Sequence, residues 1–142
     1  MGFIYYKIKL MIAETTALEW DDFFAMLKAE FINNPSKIIE KISDKQIQIR
    51  YETWVFNLYW ETQPYVLEES QEIATRFGKN RPDKDMIAKC NRRITTASNP
   101  DPNMDYFNDY VLVLQVFEKI PNSYIFDNQA GHVYKSTESP PN

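Results

Sequence analysis

The stretch Gln46–Glu61, QIQIRYETWVFNLYWE, alternates apolar and polar residues twice, with a change of phase in the middle. Ile47, Ile49 and Tyr51 fall opposite Gln46, Gln48 and Arg50, and then Trp54, Phe56, Leu58 and Trp60 take over at even positions. A two-residue period places successive side chains on opposite faces of a strand. Because a slip of one residue would turn the whole apolar set to solvent, the switch across Glu52–Thr53 predicts a turn or bulge there. Two strands, or one bent strand, follow, and the fold must contain a sheet.

The same period appears at the N-terminus, where Tyr6, Ile8 and Leu10 alternate with Tyr5, Lys7 and Lys9 in FIYYKIKLMIA. This predicts a first strand. Between the two stretches the spacing changes: Trp20, Phe23, Phe24, Leu27 and Phe31 form one stripe of an amphipathic helix, with Thr16 and Glu19 spaced as a capping box and Pro35 just past its end. IIEKI before SDKQ reads equally well as a short strand or a helical turn. Pro64 opens a helix with Val66, Ser70, Ile73 and Phe77 on one face, ending at Gly78, where a left-handed cap is expected. RPDKDMIAKCNRRI predicts another, capped by Asp83, with Ile87, Cys90 and Ile94 inward and its bases outward; residues 95–104 read as a loop broken by Pro100 and Pro102. The apolar run from Asp105 to Ile120 suits a largely buried helix stopped by Pro121, and SYIFDNQAGHVY two short strands around Gly131.

The expected architecture is therefore α+β: a single domain over residues 1–135, with a mainly antiparallel sheet of about five strands covered by about four helices, and a flexible tail over residues 136–142. A chain of 142 residues, 44% hydrophobic and 25% charged, is long enough and apolar enough for one such core. Lys7 and Lys9 interrupt the first apolar run, so no secretory signal is read there, and no later segment approaches membrane-spanning length. With a lone cysteine, Cys90, no internal disulfide forms. A cytoplasmic protein without a membrane contact is expected.

Charge excludes further classes. The net charge is −4, and the bases concentrate in residues 79–93, which carry six against two acids. A duplex-wrapping nucleic-acid binder needs a continuous basic footprint, so no nucleic-acid partner is expected. His132 is the single histidine, too few for a zinc set with Cys90, and Cys90 lies on an inward stripe as a small core residue. Three glycines form no phosphate-cradling loop. The reading is of no catalytic residue, no metal and no cofactor.

One cluster stands out. SNPDPNMDYFNDYV, residues 98–111, packs Asp101, Asn103, Asp105, Asn108 and Asp109 ahead of the apolar run. Set against a calcium loop starting at Asp101, it has Tyr106 where the turn glycine belongs and Leu112 where the bidentate glutamate belongs. Asp101 or Asp105 can instead cap the helix that follows. Asp105 and Asp109, four apart, would share one helical face as like charges beside Tyr106 and Tyr110, a pattern that local folding does not explain and that suits contact with a basic protein surface. Asp101, Asp105, Tyr106, Asp109 and Tyr110 are the candidate partner-binding residues. The same acids leave open a small metal- or ligand-binding domain or enzyme, and a non-catalytic adaptor.

YVLEESQEIATRFG, RPDKDMIAKCNRRI, DPNMDYFNDYVLVLQVFEKI and YIFDNQAGHVY together, across residues 64–134, resemble the small α+β immunity proteins encoded beside bacterial polymorphic toxins. The resemblance implies a cytoplasmic, non-catalytic protein that neutralises a cognate toxin domain by stoichiometric binding.

Overall fold

The computed structural model describes residues 5–138, and the first residues of the predicted N-terminal strand, Phe3 and Ile4, lie outside the described residues. The elements in chain order are β1 (Ile8–Ile12), α1 (Trp20–Glu30), β2 (Ile38–Ser43), β3 (Gln46–Tyr51), β4 (Trp54–Glu61), α2 (Pro64–Phe77), α3 (Lys84–Ala88), β5 (Arg92–Ser98), α4 (Phe107–Glu118), β6 (Ser123–Asp127) and β7 (His132–Lys135). The seven strands form one antiparallel sheet in the order β2-β3-β4-β5-β1-β6-β7. The fold is α+β, with four helices among the described residues, as expected, and two strands more than expected.

The parity switch is a tight hairpin. Tyr51 pairs with Trp54, Ile49 with Phe56 and Ile47 with Leu58, so the odd apolar set of β3 and the even set of β4 share one face. Glu52 turns the chain with φ +54°. That face continues through Ile94 of β5, Leu10 of β1 and Ile125 of β6, which are aligned in register. Phe23 and Leu27 of α1 and Val113, Val116 and Phe117 of α4 close over it, all fully buried. Each such side chain contributes roughly 2 kcal/mol by leaving water. On the opposite face Met11, Tyr124, Phe126 and Val133 pack against Ile73 and Ala74 of α2, Ile87 of α3, and Cys90.

Several expectations are corrected. The predicted helix through Ile94 stops at Ala88, and Arg92–Ser98 is a central strand, so residues 95–98 are not loop. Ile87, Cys90 and Ile94 are all buried, but across three kinds of structure rather than one stripe. The cause is tertiary: β4 and β1 each need a hydrogen-bonded neighbour, and β5 supplies both, overriding a local helical pattern. IIEKI is strand β2. The capping box does not form, because Thr16 is drawn into the core and its hydroxyl donates to the carbonyl of Asn122 at 3.2 Å, leaving Glu19 at the cap with no side-chain bond. Gly78 has φ −112° rather than a left-handed cap; a Cβ there would stand in tight contact, 3.2 Å from the Ala74 carbonyl oxygen. The left-handed glycine is Gly131, φ +69°, in the β6–β7 turn. The domain also extends beyond residue 135: Ser136 is buried and Glu138 bonds Arg81 at 2.7 Å, while the rest of the expected tail, 139–142, lies outside the described residues.

Candidate functional site

The five candidate residues lie where the loop after β5 feeds α4, and they divide into scaffold and surface. Asp101 is 2% exposed. Its Oδ1 accepts from the Asp105 amide and its Oδ2 from the Tyr106 amide, both at 2.9 Å, and Oδ2 also accepts from the Tyr6 hydroxyl at 2.5 Å. The predicted capping role is thus performed one turn early: Asp101 satisfies the free amides just ahead of α4, whose own first residue is Phe107. Burial, reinforced by the adjacent carboxylate, raises the Tyr6 phenol far above its ordinary value.

Asp109 also turns inward. It is 4% exposed and pairs with Lys37 at 3.1 Å, and that ammonium rests 3.9 Å from the ring centre of Tyr51. Burial outweighs Lys37 and raises the Asp109 carboxyl above its usual range. The expected pairing of Asp105 and Asp109 on one helical face is therefore not made, because Asp105 precedes the helix and is exposed whereas Asp109 faces β2. The two tyrosines are half-buried. Tyr106 stacks on Trp54 at 4.3 Å and Tyr110 on Tyr6 at 4.6 Å, so both brace the loop against the core. Stacked aromatic pairs add about 1 kcal/mol beyond the area they bury.

What this scaffold displays was not singled out in the sequence. Met104, held at φ +57°, is 48% exposed, Phe107 39% and Tyr5 36%. With Tyr110 they line a cavity of about 210 Å³, which Asp127 at the end of β6 and Gln129 of the β6–β7 turn also border. Phe107 falls off the inward stripe of α4 formed by Val113, Val116 and Phe117, and that misfit is the signal by which the sequence could have marked it.

The arginines of the basic segment 79–93 are engaged within the fold. Arg81 is held by Asp83 at 2.7 Å and by Glu138. Arg92 donates to the carbonyls of Ala13, Thr16 and Leu18, and Arg93, 5% exposed, joins Glu61 at 2.9 Å and Glu69 at 2.6 Å. The sequence set these bases on an outward face; the structure turns Arg92 and Arg93 inward to the partners just named. Cys90 is fully buried, and desolvation pushes its thiol up to about 12, far from a nucleophile's range. Among the described residues no group of three or more His, Cys, Asp and Glu is arranged to hold a metal ion, and no helix is long and apolar enough to cross a membrane. Comparison with protein-family models, curated proteins and solved structures finds no match to the chain.

Proposed function

We propose that this chain is an immunity protein, a cytoplasmic stoichiometric inhibitor that binds and neutralises a bacterial toxin domain, and that the loop leading into α4 is its contact surface. The observation that carries the reading is the division of labour just described. Asp101 and Tyr6 fix the loop backbone, so Met104 and Phe107 stand exposed without freedom to collapse. A surface held in its bound shape loses less conformational entropy on association, and an apolar centre with a charged rim is the usual anatomy of a protein contact. Asp105 at the rim selects a partner with basic groups. The alternative of an acid-cluster enzyme or metal binder is weakened because Asp101 and Asp109 already spend their carboxylates on protein donors.

The test is co-expression with toxin domains encoded beside the gene. A domain that arrests growth alone should be tolerated with this chain present and should co-purify with it one to one. The Met104→Ser/Phe107→Ser double variant should weaken the complex at least tenfold, about 1.4 kcal/mol, while melting like the parent. Asp105→Lys should slow association and flatten its salt dependence. Absence of any neutralised partner sinks the immunity reading; neutralisation that both variants leave intact removes only this surface.

A further inference from the structure

The C-terminal half of α2 does not lie flush on the sheet. Between it and strands β1 and β6 opens a cleft of about 350 Å³, on the face of the sheet opposite α4. The apolar part of its wall is formed by Ile73, Phe126 and Phe77, with the two rings packed at 5.0 Å between centroids and Phe77 38% exposed.

The charges lining it are equal in number, Lys9 and Arg76 against Glu69 and Glu72, but they are not evenly paired. Glu69 and Glu72 both border the cleft, and each is already matched to an arginine: Glu69 to Arg93 at 2.6 Å, Glu72 to Arg76 at 3.2 Å. Arg93 is shared further with Glu61. Lys9 is the cation left over. Half-buried on β1, it makes no ion pair among the described residues; its ammonium donates to Asn128 Oδ1 at 3.3 Å and stands 5.8 Å from the Phe126 ring centre. An ammonium has three N–H groups, and a carboxamide that accepts through its oxygen keeps two N–H donors free. Lys9 and Asn128 thus offer unused donors next to one another, beside two phenyl rings. Burial, with Arg93 nearby, holds Lys9 below the ordinary lysine range against the opposing pull of Glu69 and Glu61.

We propose that this cleft binds a carboxylate carried on an apolar body, the carboxylate bonding Lys9 and Asn128 and the body lying on Phe77 and Phe126. Such a group comes either from a free organic acid or from the C-terminus of a peptide ending in an apolar residue. The proposal is independent of the loop surface on the other side of the sheet.

The experiment is an NMR titration of the ¹⁵N-labelled chain with 3-phenylpropionate, with its neutral amide, with inorganic phosphate, and with a short peptide ending in phenylalanine, free or amidated. The acid should move the Asn128 side-chain amide signals saturably at millimolar concentration, at least tenfold more tightly than the neutral amide or phosphate. Lys9→Met should abolish the response, Lys9→Arg should retain it, and Lys45→Met, an exposed lysine elsewhere, should leave it unchanged. If Lys9→Met fails to fold, the acid-against-amide comparison on the parent chain still decides. Tighter binding of the free peptide than of 3-phenylpropionate assigns the site to a chain terminus, and the reverse to a small acid. No saturable shift, equal response to acid and amide, equal response to phosphate, or a response that survives Lys9→Met each overturns the proposal.

Discussion

The hydroxyl of Tyr6 lies 2.5 Å from Asp101 Oδ2, although the two residues are 95 positions apart. This contact ties the chain just ahead of β1 to the loop ahead of α4, and so couples the centre of the sheet to the surface that Met104 and Phe107 occupy.

Tyr6→Phe keeps the stack on Tyr110 but removes the donor, leaving Asp101 with its two backbone amides. A bond from a neutral donor to a buried carboxylate is worth about 2 kcal/mol, and that is the loss expected in urea denaturation. In a double-mutant cycle with Asp101→Ala the coupling should be about 1–2 kcal/mol; additive single losses would mean the contact is not energetically formed. Alkali tests the same bond. Burial raises the phenols of Tyr6 and Tyr110 and takes Tyr134 to about 12, so folding favours their protonated forms. Their stabilisation is complete below the unfolded tyrosine value, near pH ~10, and is lost as pH rises from there toward the folded values. The denaturant midpoint should fall along that limb, and less steeply in Tyr6→Phe.

Lys37→Met strands the Asp109 carboxylate in a site only 4% exposed. Removing one partner of a buried pair costs about 3 kcal/mol, the lower end of the usual range because Lys37 is itself 13% exposed. The folded value of Asp109 is raised, so its protonated form is the one folding favours, and its contribution is fully present below the unfolded aspartate value and lost as pH rises through the folded one. The variant's deficit should therefore shrink on acidification. A deficit constant between pH ~7 and ~4 would assign the loss to packing of the lysine stem instead.

Glu52 occupies the left-handed region at φ +54° in the β3–β4 hairpin, a conformation that costs a non-glycine residue about 1 kcal/mol. Glu52→Gly should raise the unfolding free energy by up to that amount, since the residue is exposed and no bond from its side chain is lost. A destabilised variant would show that the glutamate side chain contributes to the turn.

Cys90 should resist thiol reagents in the folded state, being fully exposed only when α2 and α3 leave the sheet. Its labelling rate should rise with urea in step with that opening. Prompt stoichiometric labelling in buffer would contradict its burial.

The parts of the fold legible in the sequence were those in which one face is strongly apolar. The β3–β4 hairpin announced itself through seven alternating apolar positions and a phase change, and α1 through aromatic residues at three- and four-residue spacing. β5 was hidden because RRITTAS has a single large apolar residue, Ile94; its threonines serve as bonding groups, with Thr96 accepting from the Ile8 amide at 2.9 Å and donating to the Tyr6 carbonyl at 3.0 Å. Those partners are some 90 residues away and leave no local trace. The site follows the same logic. Asp101 as a cap depends on residues four and five positions on, and was readable. Asp109 and Lys37 meet only once α4 lies over the β2-β3-β4 end of the sheet, so nothing in the spacing of the acids revealed that one of them would be internal.

The placement of β1 has a consequence for synthesis. Ile8–Ile12 leaves the ribosome before every other strand, yet its neighbours are Arg92–Ser98 and Ser123–Asp127. The β2-β3-β4 meander can pair as it emerges, but the middle of the sheet must wait until Ser123–Asp127 has been translated. During that interval Leu10, Met11 and Ile12 remain without the strands that later flank them, and the nascent chain is exposed to misassociation until the β6–β7 hairpin arrives.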